Sequence, residues 1–142
     1  MQVASILKDK GASVISIGPA ATIADAVRLL TEHRIGAVVV MEHHKLSGII
    51  SERDIVRTVG RYGEAGLSKT VESVMTAKVI TCSKADTADE LMDIMTSGRF
   101  RHVPVVERGE VIGIISIGDV VKHRFAEKEM EAEALKLYIA NS

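Results

Sequence analysis

The chain contains little of the material that disulfide-bonded, metal-cluster and membrane-spanning proteins require. Its single cysteine, Cys82, excludes an internal disulfide and a metal cluster built on cysteines. No apolar stretch approaches the length of a membrane span. The N-terminal segment carries charges at Lys8, Asp9 and Lys10 and lacks the apolar centre of a signal peptide. We therefore expect a soluble, cytoplasmic protein that has no membrane partner.

Aromatic residues and excess charge of one sign are also scarce. Aromatic residues make up 3% of the chain, whereas 46% of its residues are hydrophobic, so the core must be packed from aliphatic side chains. The formal net charge of −1 argues against a nucleic-acid partner, because general nucleic-acid binders carry a basic excess. A length of 142 residues suits one domain, or two small units that cannot stand apart.

What the sequence does contain is an internal repeat. Residues 14–57, moved forward by 65 positions, align with residues 79–122 without a gap. Each copy of such a repeat is one supersecondary unit that buries its apolar face against its neighbour. The repeat therefore predicts two equivalent sites related by a pseudo-two-fold axis. The aligned positions include Gly48-Ile49-Ile50-Ser51 with Gly113-Ile114-Ile115-Ser116, and Asp54 with Asp119.

The pattern of each copy predicts a strand, a helix, two strands and a second helix. A further match, Val3–Leu7 with Val71–Met75, indicates that each copy opens with a short helical turn. In the first copy we expect strands at 14–17, 35–41 and 46–51, a helix capped by Thr22, and a helix from Ser51 to Gly60. In the second copy we expect a strand at Val79–Cys82, a helix through Ala88 to Met95, a hairpin of 100–106 with 111–116, and a helix from Ser116 to about Ile139.

The motif Ser-x-x-Asp follows an apolar strand in both copies, as Ser51 with Asp54 and as Ser116 with Asp119. One interpretation is a capping box, in which the serine caps a helix and the carboxylate returns to the cap amide. The other is a ligand site. A helix N-terminus and a serine hydroxyl suit a phosphate group, and a carboxylate can accept hydrogen bonds from two sugar hydroxyls.

These motifs resemble the tandem cystathionine-β-synthase (CBS) domain pair, also called a Bateman module. The resemblance rests on Gly-Ile-Ile-Ser-Glu-Arg-Asp-Ile-Val-Arg at 48–57, Gly-Ile-Ile-Ser-Ile-Gly-Asp-Val-Val-Lys at 113–122, the strand Arg101–Val106 and the opening turn Val71–Thr76. It covers about residues 2–125 and implies an α+β fold of tandem pseudo-two-fold βαββα units. The implied boundaries are 2–60 for the first CBS unit, 61–69 for a linker, 70–125 for the second unit and 126–142 for a C-terminal helical extension.

In that family the cleft between the two units binds adenosine-containing ligands such as AMP, ADP, ATP, NAD or S-adenosylmethionine. The resemblance implies that Asp54 and Asp119 bind ribose and that Ser51 and Ser116 bind phosphate. It also implies that the base lies near Ile15, Ile17, Ile80 and Cys82 and near the backbone at Val38, Val103 and Pro104. No metal and no required cofactor are expected.

The two copies differ inside the motif and in the strand before it. Arg53 places a cation close to the first helix start, whereas Gly118 lets a ligand approach the backbone of the second. Arg101 and His102 replace the uncharged Gly36 and Ala37. Arg101 is either part of a solvated rim or, with His102, a phosphate ligand. We expect two sites with different ligand preferences, one of them for a nucleotide with more phosphates.

The function predicted from the sequence is a non-catalytic regulatory module that binds AMP, NAD(H), ATP or ADP and signals through conformational change. The alternatives are a protein-interaction scaffold without a ligand and an enzyme that uses a nucleotide, although the sequence has neither a P-loop nor metal-ligand spacing. We also expect a homodimer, because the second helix of each copy has more apolar residues than its own unit needs, and an unidentified protein target.

Overall fold

The computed structural model describes residues 1–11 and 13–141. Its elements in chain order are α1 (Val3–Lys10), β1 (Ser16–Ile17), α2 (Ile23–His33), β2 (Ala37–Glu42), β3 (Lys45–Ser51), α3 (Glu52–Tyr62), a 3₁₀ helix (Gly63–Ser68), α4 (Val71–Val74), α5 (Ala88–Gly98), β4 (His102–Glu107), β5 (Glu110–Ser116) and α6 (Ile117–Ala140). The mixed helix and strand content and the tandem units confirm the predicted fold class.

The chain divides into two compact units that are not continuous in sequence. One contains Met1–Ala12, Thr81–Val106 and Gly113–Ser142, and the other contains Ser13–Ile80 and Glu107–Ile112. We call the first the Asp119 unit and the second the Asp54 unit, after the motif carboxylate that each contains. The boundaries predicted above describe the sequence repeat, whereas these units describe how the chain packs.

In the Asp54 unit, α2 begins where the sequence predicts it. The Thr22 hydroxyl accepts a hydrogen bond from the Asp25 amide at 3.2 Å, and the Asp25 carboxylate accepts one from the Thr22 amide at 3.0 Å. This capping box satisfies amides that the first helical turn leaves free. The helix buries its apolar face, formed by Ile23, Ala26 and Leu30, in the core of the unit.

The sheet of the Asp54 unit explains the uninterrupted apolar run in the sequence. Strand β2 lies in the centre, parallel to β1 and antiparallel to β3. Its residues Val38, Val39 and Val40 are fully buried, as expected for a strand that is covered on both faces. The turn to β3 places His43 at φ 50° and His44 at φ 65°, a left-handed pair that matches the twist of a tight hairpin.

The predicted strand at Val79–Cys82 is wrong, and Pro104 explains why. Only Cys82 pairs with the neighbouring strand there: its amide donates to the Pro104 carbonyl at 3.0 Å and its carbonyl accepts from the Val106 amide at 2.9 Å. In the first copy β1 has one more pair, between Ser16 and Val39. Val39 corresponds to Pro104, which has no amide hydrogen, so the ladder cannot extend by that residue.

The predicted linker and the predicted C-terminal helix are both largely helical in the structure. Residues 61–69, predicted as a linker, begin with the end of α3 and continue as the 3₁₀ helix Gly63–Ser68. Helix α6 runs for 24 residues, which confirms the predicted extension beyond the repeat. None of the helices in the described part of the chain is both long and apolar enough to cross a membrane.

The opening turn of each repeat copy packs in the compact unit that contains the motif of the other copy, and the sequence alone does not reveal this. Helix α1 belongs to the Asp119 unit, where the Val3 amide donates to the Asp86 carbonyl at 2.8 Å. Helix α4 belongs to the Asp54 unit, where the Val71 amide donates to the Ala21 carbonyl at 2.8 Å. Each opening turn therefore packs at the start of the first long helix of its unit, α5 or α2.

Candidate ligand sites at two helix N-termini

Both Ser-x-x-Asp motifs form the strand-to-helix corner that the sequence predicts. Ser51 caps α3 and Ser116 caps α6, and each is part of a capping box with the aspartate three residues later. The Asp54 carboxylate accepts from the Ser51 amide at 2.8 Å, and the Asp119 carboxylate accepts from the Ser116 amide at 2.9 Å. The capping interpretation is thus correct for the ligand-free chain, and both carboxylates lie at a helix N-terminus.

The residue before each apolar pair of the motif is glycine because an opening turn packs against it. A methyl group built on Gly48 would lie 2.5 Å from the Met75 sulfur and 2.9 Å from the Thr76 carbonyl oxygen. A methyl group built on Gly113 would lie 2.5 Å from Leu7 Cδ2, with no backbone atom among its nearest neighbours. The first glycine is therefore held by backbone and the second only by the end of a flexible side chain.

This difference predicts unequal costs for the same substitution. Gly48→Ala should lower the free energy of unfolding by about 2 kcal/mol, because overpacking against backbone typically costs 1–3 kcal/mol. Gly113→Ala should cost less than about 1 kcal/mol, since Leu7 can change rotamer. Urea unfolding of the two variants measures both values, and equal losses would contradict this account of the motif glycines.

In the Asp119 unit a lysine side chain binds the motif carboxylate. Lys10, the last residue of α1, donates from Nζ to Asp119 Oδ2 at 2.6 Å and to the Ile114 carbonyl oxygen at 2.7 Å. The Ile117 amide, at the start of α6, donates to the Arg101 carbonyl at 2.8 Å. Lys10, Arg101 and Asp119 therefore lie together at the N-terminus of α6, within one compact unit.

The charges of this cluster are set by burial and by Lys10. Burial alone would raise the pKa of Asp119, but the hydrogen bonds from Lys10 and Ser116 and the Lys10 charge outweigh it and hold that pKa below its usual value. Burial, followed by the charges of Lys10 and Arg101, lowers the pKa of His102 to about 4 against the opposing effect of Asp119. At neutral pH Asp119 is therefore ionised and the His102 imidazole is uncharged.

In the Asp54 unit the motif carboxylate lies beside a basic cavity. Asp54 Oδ2 accepts from the Ser51 hydroxyl at 3.0 Å in addition to the Ser51 amide. A cavity of about 240 Å³ next to it has three cations in its wall, Arg57, Arg61 and Lys69. The Lys69 ammonium also lies 4.1 Å from the centre of the Tyr62 ring. This surface suits an anionic group, and no motif in the sequence points to these cations as a cluster.

The remaining predicted ligand contacts differ in exposure. Five of them are buried, so that their side chains belong to the core and only their backbone is available to a ligand: Ile17, Val38, Cys82, Val103 and Pro104. Ile15 and His102 are half-buried, while Arg53, Gly118 and Arg101 are exposed. Ile80 is 51% exposed, which is unusual for an isoleucine and leaves its side chain available to a ligand. A methyl group on Gly118 would meet only the Ser116 hydroxyl, at 3.6 Å, so packing does not require glycine there.

Other chemically reactive residues take no part in these clusters. Burial raises the pKa of the Cys82 thiol to about 12, so it is an unreactive core residue at neutral pH. His43 and His44 are exposed on their turn. Among residues 1–11 and 13–141, no group of three or more histidine, cysteine or carboxylate side chains lies close enough to hold a metal ion.

Two apolar grooves lie between pairs of helices, at equivalent positions of the repeat. One, of about 460 Å³, is formed by α2 and α3, and its wall includes Val27, Ile55 and Val56. The other, of about 380 Å³, is formed by α5 and α6, and its wall includes Met92 and Val121. Val27 corresponds to Met92 and Val56 to Val121 in the repeat, so each unit presents an apolar groove in the same place.

Comparison with known proteins agrees with this architecture. The family model described as "CBS domain" matches the chain twice, over residues 4–61 and 71–126. The CBS domain-containing protein CBSX3, mitochondrial, of Arabidopsis thaliana is 39% identical over 123 residues, which are 83% of this chain and 60% of the relative. The chain thus spans less than two thirds of the length of this curated relative.

Solved structures extend the comparison. The CBS-domain containing protein ATU1752 from Agrobacterium tumefaciens superposes with a TM-score of 0.85 at 48% identity, covering 87% of this chain and 99% of that one. The CBS domain pair of protein MJ0100, solved in complex with 5-methylthioadenosine and S-adenosyl-L-methionine, gives a TM-score of 0.78 at 29% identity and covers 90% of this chain and 98% of that one. With both halves matched and the fold shared, the chain belongs to the CBS domain family as a tandem pair of these domains.

Proposed function

We propose that this chain is a non-catalytic regulatory module that binds adenosine-containing nucleotides at the motif carboxylates Asp54 and Asp119. The single observation that supports it most is the repetition of one arrangement: an ionisable carboxylate at a helix N-terminus, beside at least one cation, in each compact unit. AMP is the first candidate ligand, with NAD(H), ATP and ADP as alternatives, and no cofactor is required.

The chemistry of each site follows from its groups. The carboxylate accepts hydrogen bonds from a ribose diol, because an ionised carboxylate has two acceptor oxygens. Helix N-terminal amides and the nearby cations attract the phosphate. The base would lie against the backbone of the buried strand residues and the exposed side chain of Ile80.

The two sites differ in charge, and we infer that they differ in ligand preference. The cavity beside Asp54 has three cations in its wall, whereas Asp119 is already neutralised by Lys10. Each additional cation favours an additional phosphate, so the Asp54 site is the better candidate for ADP or ATP. MJ0100, solved with two adenosine derivatives, supports the adenosine class without identifying the ligand of this chain.

Regulation requires that the ligand favour one conformation of the chain over another. The protein that receives the signal is unidentified.

A cytoplasmic location, with neither a nucleic-acid nor a membrane partner, remains a prediction from the sequence. The name of one relative, CBSX3, describes that protein as mitochondrial.

We also propose that the chain forms a homodimer through its two apolar grooves. Val56 is 71% exposed and Val121 is 45% exposed, and they lie in the walls of equivalent grooves. Large exposed apolar patches mark interaction surfaces. A repeated chain that presents the same groove twice matches a second copy of itself, because a two-fold interface pairs like surfaces.

One experiment separates the sensor from its alternatives. Nucleotide-free protein is titrated by calorimetry with AMP, ADP, ATP, NADH and S-adenosylmethionine, and each ligand is recovered afterwards by chromatography. The proposal predicts binding with every bound ligand recovered intact. Consumption of a ligand would instead support a nucleotide-using enzyme, and five titrations without heat would leave only the interaction scaffold.

A further inference from the structure

The Lys10–Asp119 contact distinguishes the Asp119 site and was not anticipated from the motifs. The side chain of Lys10 is 37% exposed and that of Asp119 is 24% exposed. The carboxylate is thus partly desolvated, while the ammonium remains accessible from solvent. A ligand that approaches Asp119 meets Lys10 at the same carboxylate oxygen.

In the part of the chain that the structure describes, the first copy of the repeat has no counterpart of the Lys10–Asp119 contact. Ile49 corresponds to Ile114, and its carbonyl accepts from the Thr76 backbone amide at 2.9 Å rather than from a lysine. Alignment of the opening turns places Lys78 opposite Lys10, and within the described residues Lys78 has neither a hydrogen bond nor an ion pair. Helix α1 continues to Lys10, whereas α4 ends at Val74, so only α1 carries its lysine to the motif.

Asp119 can accept only a limited number of hydrogen bonds. Its Oδ2 atom accepts from Lys10 Nζ at 2.6 Å and from the Ser116 amide at 2.9 Å. A carboxylate oxygen offers about two acceptor positions, and Lys10 and the Ser116 amide take both at Oδ2. A ribose diol that binds both oxygens of Asp119 therefore competes with Lys10 for Oδ2.

We propose that Lys10 determines specificity at the Asp119 site by exchanging Asp119 for the phosphate of the ligand. A neutral nucleoside that displaces Lys10 loses the ion pair and offers the ammonium no new partner. A phosphorylated adenosine offers an anion to the released ammonium, next to a helix N-terminus that also favours negative charge. The site therefore selects nucleotides over nucleosides. This inference rests on the proposed function, since it assumes that Asp119 binds ribose.

A purely structural role for Lys10 makes a different prediction. In that case the lysine only satisfies the Ile114 carbonyl and anchors α1, and its removal would weaken every ligand by the same factor. The ratio of the dissociation constants for adenosine and AMP separates the two roles, because a general loss of structure cancels from it.

The test compares Lys10→Met with the wild type by calorimetry with adenosine and with AMP. Both chains also carry Asp54→Ala, so that only the Asp119 site reports. We expect the adenosine-to-AMP ratio to fall about tenfold, because Lys10→Met removes the charge-assisted hydrogen bond to the phosphate. Lys10→Arg should keep the ratio within threefold, and Lys78→Met is the matched control that should not change it.

Each result bears on a defined claim. A ratio in Lys10→Met within twofold of the wild type, or an equal fall in Lys10→Arg, overturns the assignment of Lys10 but leaves the proposed function standing. A wild-type chain that binds neither adenosine nor AMP overturns both. Lys10→Gln keeps a donor for the Ile114 carbonyl without the charge, and it supplies the same ratio if Lys10→Met does not fold.

Discussion

In a chain that already carries Asp54→Ala, replacing Asp119 by alanine is expected to weaken AMP binding at least tenfold while the chain stays folded. The carboxylate is the proposed acceptor for the ribose diol, and tenfold corresponds to about 1.4 kcal/mol of binding free energy. The same change removes one half of the capping box on α6, which should lower the free energy of unfolding by about 1 kcal/mol. Calorimetry gives the affinity, and urea unfolding of the ligand-free variant gives the stability.

Asp25 provides the matched control for this experiment. It occupies the same third helical position in the capping box of α2, but it is not part of a Ser-x-x-Asp motif. Asp25→Ala should therefore cost a similar amount of stability and leave AMP binding unchanged. If, in the Asp54→Ala chain, Asp119→Ala binds AMP as well as Asp25→Ala does, Asp119 is only a helix cap. Asp54→Ala alone, compared with the wild type, reports whether the first site is used.

Charged residues in the two apolar grooves are expected to dissociate the proposed homodimer. The double variant Val56→Glu, Val121→Glu should halve the mass measured by light scattering, from two chains to one. In a single chain both side chains are substantially exposed, so charge is tolerated there. In the proposed dimer each glutamate would be buried without a partner, which costs about 3–5 kcal/mol per group.

Ile80→Glu is the control for the dimer prediction. Ile80 is also an exposed apolar residue, but it does not line either groove. This variant should keep the dimer mass. A wild-type chain that is monomeric at tens of micromolar would remove the dimer proposal, as would a double variant that keeps the mass of two chains.

The sequence predicts the helices and the central strands because their patterns are local. Thr22 and Ser116 cap the helices that they are expected to cap, and the buried run in β2 follows from its uninterrupted valines. Strand pairing is less local. The missing strand at Val79–Cys82 depends on the absent amide hydrogen of Pro104, which lies more than twenty residues away in sequence.

The candidate site could be predicted only where the repeat marks it. The duplicated motif locates Asp54 and Asp119, but nothing local in the sequence indicates that Lys10 reaches Asp119 across 109 positions. That contact depends on α1 packing in the unit of the second repeat copy, a tertiary choice that the motif does not encode. The basic wall beside Asp54 also depends on tertiary packing, because Arg57 lies on α3 whereas Lys69 follows the 3₁₀ helix.

Calorimetric titration of the nucleotide-free wild-type protein with AMP measures whether this chain binds an adenosine nucleotide. We predict a dissociation constant in the micromolar range, or a binding free energy of about −8 kcal/mol. Because the motif occurs twice, up to two nucleotides should bind per chain. No heat with AMP or with any of the other four adenosine ligands, on protein shown to be free of bound nucleotide, would contradict the account.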